Sequence, residues 1–492
     1  TSSTTLLSLL LLATAIVASC HRPGPNLVLL ARAEIANAAN WAQSSLSIFE
    51  QLRQDSNSRA TSVALSDCVK LYGETELLLE RLVSGDGGSV YSPEDAMVWL
   101  SGAMASHRTC LDGMEEKGLV FESGVAQNLT ALLGRALALY GRRTKAWHGK
   151  KGEQEKAYYT SKNGGLLASW NAATSKADMV VARDGSGNYK SINEAVGALA
   201  RMGRGRPERV IIYVKAGVYN ERVEIGKKMK NVMMVGDGVD KTIITGDQNV
   251  VDGASTLSSA TFGVSGDGFW ARDMTFENTA GPHKHQAVAA QVSSDLSVFY
   301  RCSFRAYQDT LFVHSLRQFY RDCQIYGTID FVFGDASAVL QNCDIFVRRP
   351  MDHQANMITA QGRDNPSEPT GIVILNSRVL PSSEFTAVEG QFRSYLGRPW
   401  RRYSRTVFLK TDLDGLIDPK GWREWSGGFA LSTLFYGEYL NSGAGASTAR
   451  RVRWPGFHVL SDYKEASPFS VRNFIQGEHW IPATGVPFWL DI

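Results

Sequence analysis

The chain has no serine or cysteine nucleophile motif joined to a histidine, and its few cysteines show no zinc-ligand spacing. Triad hydrolysis and structural zinc therefore drop out first, and no metal and no cofactor is expected. Charge of one sign is scarce too. The 52 Lys and Arg against 49 Asp and Glu leave a net charge of +3, too little to argue for nucleic acid, though compatible with a polyanionic substrate. The apolar run Leu6 to Ala18 is too short to span a bilayer, and no later segment is apolar enough. The Gly-rich turn Asp184-Gly-Ser-Gly187 lacks the Lys-Ser/Thr ending of a phosphate loop and opens no long βαβ unit. With 43% hydrophobic and 21% charged residues, disorder is not indicated.

What is present divides the chain. Residues 1–20 read as a secretory leader ending in small residues at Ala18-Ser19, N-terminally incomplete because Thr1 is preceded by neither Met nor a basic region. Val17-Ala-Ser-Cys20 also fits a bacterial lipoprotein leader, but the rest of the chain points elsewhere. Residues 21–140 carry helical stripes: Val63, Leu65, Cys68, Tyr72, Leu79 and Leu82, then Val125, Leu129, Leu133, Leu137 and Tyr140. Ser92-Pro93-Glu94-Asp95 is a helix start, with Ser as cap, Pro first and acids in the first turn. These stripes predict a four-helix bundle in which Cys68 and Cys110 could staple two helices. Residues 141–177, with Arg142-Arg143, Lys150-Lys151 and Gly164-Gly165, read as a solvated linker with a possible processing site.

From residue 178 the pattern turns to β. Short apolar runs are separated by turns, without long helices between them. Cys302, Cys323 and Cys343 recur at 21 and then 20 residues in similar apolar frames, the period of a solenoid whose coils stack like on like. The reading is a right-handed parallel β-helix over 178–492, with the aromatic tail after Gly443 packed on its outside. Asp309 and Asp330 are also one period apart, so neighbouring coils bring two carboxylates within about 5 Å. Such a pair divides labour: one acid stays ionised as nucleophile, and the other is held protonated by its neighbour. Gln286 lies 22 residues before Gln308, and stacked amides present two donors to one oxygen. Arg398 and Trp400 offer a guanidinium for a carboxylate and a plane for a sugar. His283 and His285 are expected to be exposed or structural.

In order, the motifs Gly217-Val-Tyr-Asn-Glu221, Gln286-Ala-Val-Ala289, Gln308-Asp-Thr-Leu311, Asp330-Phe-Val-Phe-Gly334 and Leu396-Gly-Arg-Pro-Trp400 resemble the plant pectinesterase signatures. Leu65-Ser-Asp-Cys68, Trp99-Leu-Ser101 and Thr109-Cys-Leu-Asp-Gly113 resemble the pectin methylesterase inhibitor region in front of many such enzymes. No cysteine between His21 and Arg59 supplies that region's earlier pair, so an incomplete inhibitor-like unit is expected. The resemblance implies a secreted cell-wall enzyme that demethylates homogalacturonan. It makes Asp330 the nucleophile, Asp309 the acid and later base, and Gln308 and Gln286 the oxyanion donors. Thr256, Gln286, Arg398 and Trp400 become substrate contacts, and Cys323–Cys343 a disulfide that leaves Cys302 free. Ala290-Gln291 and Arg305-Ala306 depart from the family pattern beside the expected groove. Asn128-Leu-Thr130 is a usable glycosylation sequon. Expected partners are methyl-esterified homogalacturonan, proteinaceous pectinesterase inhibitors and a processing protease. The rival readings are a β-helix enzyme that cleaves the polysaccharide, polygalacturonase- or lyase-like, and an inactive secreted inhibitor or binding protein.

Overall fold

The computed structural model describes residues 33, 56–84, 91–119, 123–147, 158–159, 165–203 and 205–492. Three long helices come first: α1 (Ser56–Ser84), α2 (Pro93–Glu116) and α3 (Ser123–Trp147). The fourth helix of the expected bundle and the leader lie outside the described residues, Ala33 apart. Helix α2 starts where its sequence says. Ser92 accepts from the Asp95 amide and the Asp95 carboxylate accepts from the Ser92 amide, closing a capping box ahead of Pro93. The stripes face one another, with Leu65, Tyr72, Leu79, Leu100, Met104, Leu133 and Leu137 buried in one cluster, and Cys68 is bonded to Cys110 between α1 and α2. Asn128 is exposed on α3.

The rest is a parallel β-helix. Among the described residues its strands form parallel sheets of eleven, eight and seven members, each coil adding a strand to each sheet in turn. Register repeats like on like: Phe299 lies against Tyr320 and Tyr320 against Leu340, and Phe304 lies against Ile325 and Ile325 against Ile345. The aromatic stacks follow, with Phe299–Tyr320 ring centroids 5.0 Å apart and Phe312–Phe333 4.3 Å apart, both pairs nearly parallel. Side chains alternate across the eleven-stranded sheet. Val232 and Met234 point into the solenoid core, whereas Met233 and Val235 point out. That outer face is apolar, and the C-terminal tail covers it with Phe469, Phe474, Ile481 and Phe488, as the sequence suggested.

Two expectations need correction. Residues 165–170 are not a solvated linker. Leu167 and Trp170 are buried against the outer face, and Arg272 donates to the carbonyls of Leu167, Ala168 and Trp170. Helix α3 also runs past residue 140. The composition was polar, but the apolar sheet face supplied partners for its few large side chains. Second, Cys323 and Cys343 are not bonded to each other. Both are buried free thiols, like Cys302, and they donate to backbone carbonyls. In-register side chains on neighbouring parallel strands keep the sheet spacing of about 4.8 Å, wider than the roughly 3.8 Å between Cβ atoms that a disulfide requires.

The helices pack directly on the solenoid. Leu257, Val288, Phe312, Phe333 and Ala360 join the helical cluster, and a methyl group at Gly102 would come within 2.8 Å of the Leu316 side chain, which would have to shift to admit it. The Cys68–Cys110 link closes a sequence separation of 42. Replacing Cys110 by Ser should therefore destabilise the helical unit by about 2–4 kcal/mol. Hydrogen exchange should then quicken in α1 and α2 and stay unchanged in the coils. Equal protection with and without the link would contradict this.

Candidate active site

Asp309 and Asp330 sit at equivalent places on consecutive coils. The Leu311–Val313 strand pairs with Val332–Gly334 so that Leu311 faces Val332, and the Asp309 amide donates to the Ile329 carbonyl at 3.0 Å. Both aspartates adopt left-handed backbone, φ 64° and 52°, a conformation that Asp tolerates better than most residues. Each thus ends a bend at the entrance to its strand. Gln286, on the preceding coil, bridges Gln308 beside Asp309. That pair is offset by one residue from the strand register, since Ala290 faces Leu311.

A cavity of about 230 Å³ gathers the expected residues: Thr256, Gln286, Gln308, Asp309, Asp330, Arg398 and Trp400 all line it. Arg398 grips Asp330 with both arms of its fork, Nε to Oδ1 at 2.9 Å and NH2 to Oδ2 at 2.7 Å, the strong bidentate geometry. The two acids are buried, 7% and 5% exposed, yet their electrostatics differ. Burial drives Asp309 well above the usual carboxylate range, and the charges of Asp330 and Glu116 push it further. Burial raises Asp330 too, and the Arg398 hydrogen bonds and charge offset only part of that rise, so Asp330 stays above the usual carboxylate range but less far than Asp309. The cation goes to one acid, which therefore gives up its proton more readily than its neighbour does.

The sequence reading missed two parts of the site. Trp425 lines the cavity and lies under Arg398, whose guanidinium carbon is 4.3 Å from the ring centroid. Its signal was present: Gly397 bridges Trp422 on the next coil, so Gly-Trp-Arg-Glu-Trp425 follows Leu-Gly-Arg-Pro-Trp400 by one turn. The other missed part is the wall supplied by the helices. Asp67, Asp112 and Glu116 line the same cavity. Glu116 accepts from the Thr256 hydroxyl at 2.9 Å, Lys117 donates to the Ala254 carbonyl at 2.8 Å, and Asp112 pairs with Arg401. His283 and His285 are exposed and do not line the cavity, and no group of acids, His or Cys fit for a metal occurs among the described residues.

Residues 178–478 match the family described as Pectinesterase, and residues 15–139 match the Plant invertase/pectin methylesterase inhibitor family. The chain belongs to the pectinesterase family. A probable pectinesterase/pectinesterase inhibitor 36 of Arabidopsis thaliana is 60% identical over 451 residues, spanning 87% of this chain and 86% of the relative. Pectinesterase 2 of Citrus sinensis is 49% identical, spanning 86% and 81%. Among solved structures, pectin methylesterase from carrot matches with a TM-score of 0.64 and 52% identity, over 65% of this chain and 100% of the carrot chain. The Aspergillus niger pectin methylesterase matches at 0.53 and 32%, over 63% and 97%.

In this pectinesterase the Arg398 fork opposes the upward push of burial on Asp330. Replacing Arg398 with Gln removes the influence among the described residues that lowers the Asp330 pKa. The acid limb of the pH profile for ester hydrolysis should then move to higher pH, with loss of rate greatest on the acid side. An unmoved limb would mean that Arg398 does not set the charge of Asp330.

Proposed function

We propose that this pectinesterase removes methyl esters from homogalacturonan through a covalent intermediate on Asp330. The observation that carries this reading is the unequal pair, a cation-gripped carboxylate beside a buried acid pushed to keep its proton, with two glutamines lining the same cavity. The ionised Asp330 oxygen attacks the C6 carbonyl carbon, and Gln286 and Gln308 donate to the oxyanion that forms. Collapse breaks the bond to the methoxy oxygen, and Asp309 gives that oxygen its proton, so methanol leaves. The Asp309 carboxylate then takes a proton from water. The hydroxide adds to the same carbon, Asp330 departs as carboxylate, and a free galacturonate remains. Thr256, Arg398 and Trp400 serve as substrate contacts.

The protein is a carboxylic ester hydrolase of pectin with an inhibitor-like helical region. No described helix is long and apolar enough to cross a membrane. The reading extends to a secreted enzyme of the cell wall, with a leader at 1–20, an inhibitor-like pro-region at 21–140, a catalytic part at 178–492 and glycan on the exposed Asn128. Because α2 and its neighbours stand over the cleft, a polymer enters only once they move. A protease acting within 141–177, ahead of the packed Leu167, supplies one route, and separate inhibitor proteins would compete for the vacated face.

Asp330→Ala should reduce methanol release by about 10⁴-fold or more, the scale of losing a nucleophile, with the coils still folded by circular dichroism. Retained turnover in that variant would refute the mechanism. New reducing ends or unsaturated products in place of methanol would favour polysaccharide cleavage instead.

A further inference from the structure

We propose that a second groove, at the bend between the eleven-stranded and eight-stranded sheets, binds an uncharged polysaccharide laid along the coil axis. The inference goes beyond the esterase reading and does not depend on it. A cavity of about 740 Å³ lies at this bend, and none of its lining residues is shared with the catalytic cavity or comes from the helices. Four consecutive coils build it in register. At each bend one residue takes left-handed backbone: Asp322, Asn342, Asn376 and Lys410, with φ between 48° and 56°. Two residues on, Gln324, Asp344, Arg378 and Asp412 lie side by side on adjacent strands of the eight-stranded sheet. Both columns line the cavity, and the tail adds Trp489. Gln341 holds that tryptophan by donating to its carbonyl and accepting from its amide, and the Arg321 guanidinium carbon is 4.6 Å from its ring centroid.

The bend column has a local cause, since Asp and Asn tolerate left-handed backbone. The second column has none: extended strands disfavour Asp, yet Asp344 and Asp412 stand in it. Charge then narrows the ligand. The lining carboxylates are Asp322, Asp344, Asp412 and Asp491. Arg321 pairs with Asp322 at 2.8 Å, Arg378 with Asp344 at 2.8 Å and Arg472 with Asp491 at 2.9 Å, while Lys410 lines the groove with Asp412. Side-chain charges therefore balance, and a polyanion such as nucleic acid finds no surplus of cations. A peptide strand needs free backbone donors and acceptors, which sheet pairing has used here. A sugar needs neither. Its hydroxyls suit amide, carboxylate and guanidinium groups, and its apolar face suits an aromatic ring. Gln324, Asn376 and Ser442 line the groove and make no side-chain hydrogen bond among the described residues. Coils repeat at about 4.8 Å, close to the advance of one pyranose along an extended chain. Successive sugars thus meet equivalent side chains on successive coils.

The test titrates the full chain calorimetrically with cellohexaose, β-1,4-linked galactohexaose, fully methyl-esterified hexagalacturonate and the same uronate without its esters. At least one of the three uncharged hexamers should bind, and the de-esterified one about tenfold more weakly. Asn376→Gly, which keeps the left-handed bend, and Gln324→Ala should each weaken that binding about five- to tenfold, the scale of one lost hydrogen bond. Thermal unfolding of both variants, whose changes are at the surface, should match the parent. Binding of the glucan or galactan hexamer identifies a separate neutral glycan as the ligand. Binding confined to the methylated uronate makes the groove a second hold on pectin, and its sensitivity to the two substitutions separates it from the catalytic cleft. No uncharged hexamer bound at millimolar concentration, or binding unchanged in both variants, would overturn the site. Equal binding of the de-esterified hexamer would overturn the assignment of an uncharged ligand.

Discussion

The spacing between stacked strands governs this molecule. Parallel coils repeat at about 4.8 Å, and residues one period apart have no freedom to avoid each other. For Phe312 and Phe333 that closeness is favourable, since the rings stack at 4.3 Å. For Asp309 and Asp330 two like charges cannot both persist in a buried place. The remainder of the site resolves that conflict. Arg398 settles on Asp330 alone, Trp425 backs the guanidinium, and Asp309 is left to hold a proton. In the proposed mechanism the chemistry is a consequence of the stacking: where a single cation lands makes one acid the nucleophile and the other the proton donor.

The same surface explains how the helices are held. Their charges meet opposite charges on the solenoid. Arg317 stands between Asp95 of α2 and Asp295 of the coils, 2.8 Å from each, and Arg108 of α2 reaches Glu368 and Asp364. Burial alone would raise Asp295, yet the Arg317 charge and hydrogen bonds and the Trp99 indole bring it down to about 2. Breaking one such buried pair leaves a charge without a partner, at a cost of about 3–5 kcal/mol. These pairs fix where the helices sit more than how tightly they hold, because desolvation offsets much of the attraction. The apolar contribution comes from beneath, where Phe312, Phe333 and Ala360 on the cleft floor share a cluster with Leu100 and Met104. The floor that would carry substrate is thus the floor that carries the helices.

Much of this was legible beforehand, for a physical reason. A solenoid writes its contacts into the chain as a period, so Cys302, Cys323 and Cys343 revealed the coil length, and the coil length placed Asp309 beside Asp330. The capping box at Ser92 and the stripe through Leu65 and Tyr72 are equally local. Trp425 obeys the same period, but the turns around it vary in length and blurred the signal. Leu167 and Trp170 were misread because composition counts polar residues and ignores a distant apolar sheet in search of cover. The Cys323–Cys343 bond was implied by the family resemblance alone, and stacking one coil apart does not bring two Cβ atoms close enough to be joined.

The amino-acid order by itself determined the repeat, the pairing of the two acids and the helix boundaries it could cap, since each depends on residues related by a fixed step along the chain. Only the folded structure decided which acid receives Arg398, which side of the solenoid the tail covers, and that Asp112 and Glu116 reach across to Arg401 and Thr256. Those contacts join segments with no common period. Their partners are chosen by shape and charge in three dimensions, and spacing along the chain carries no record of that choice.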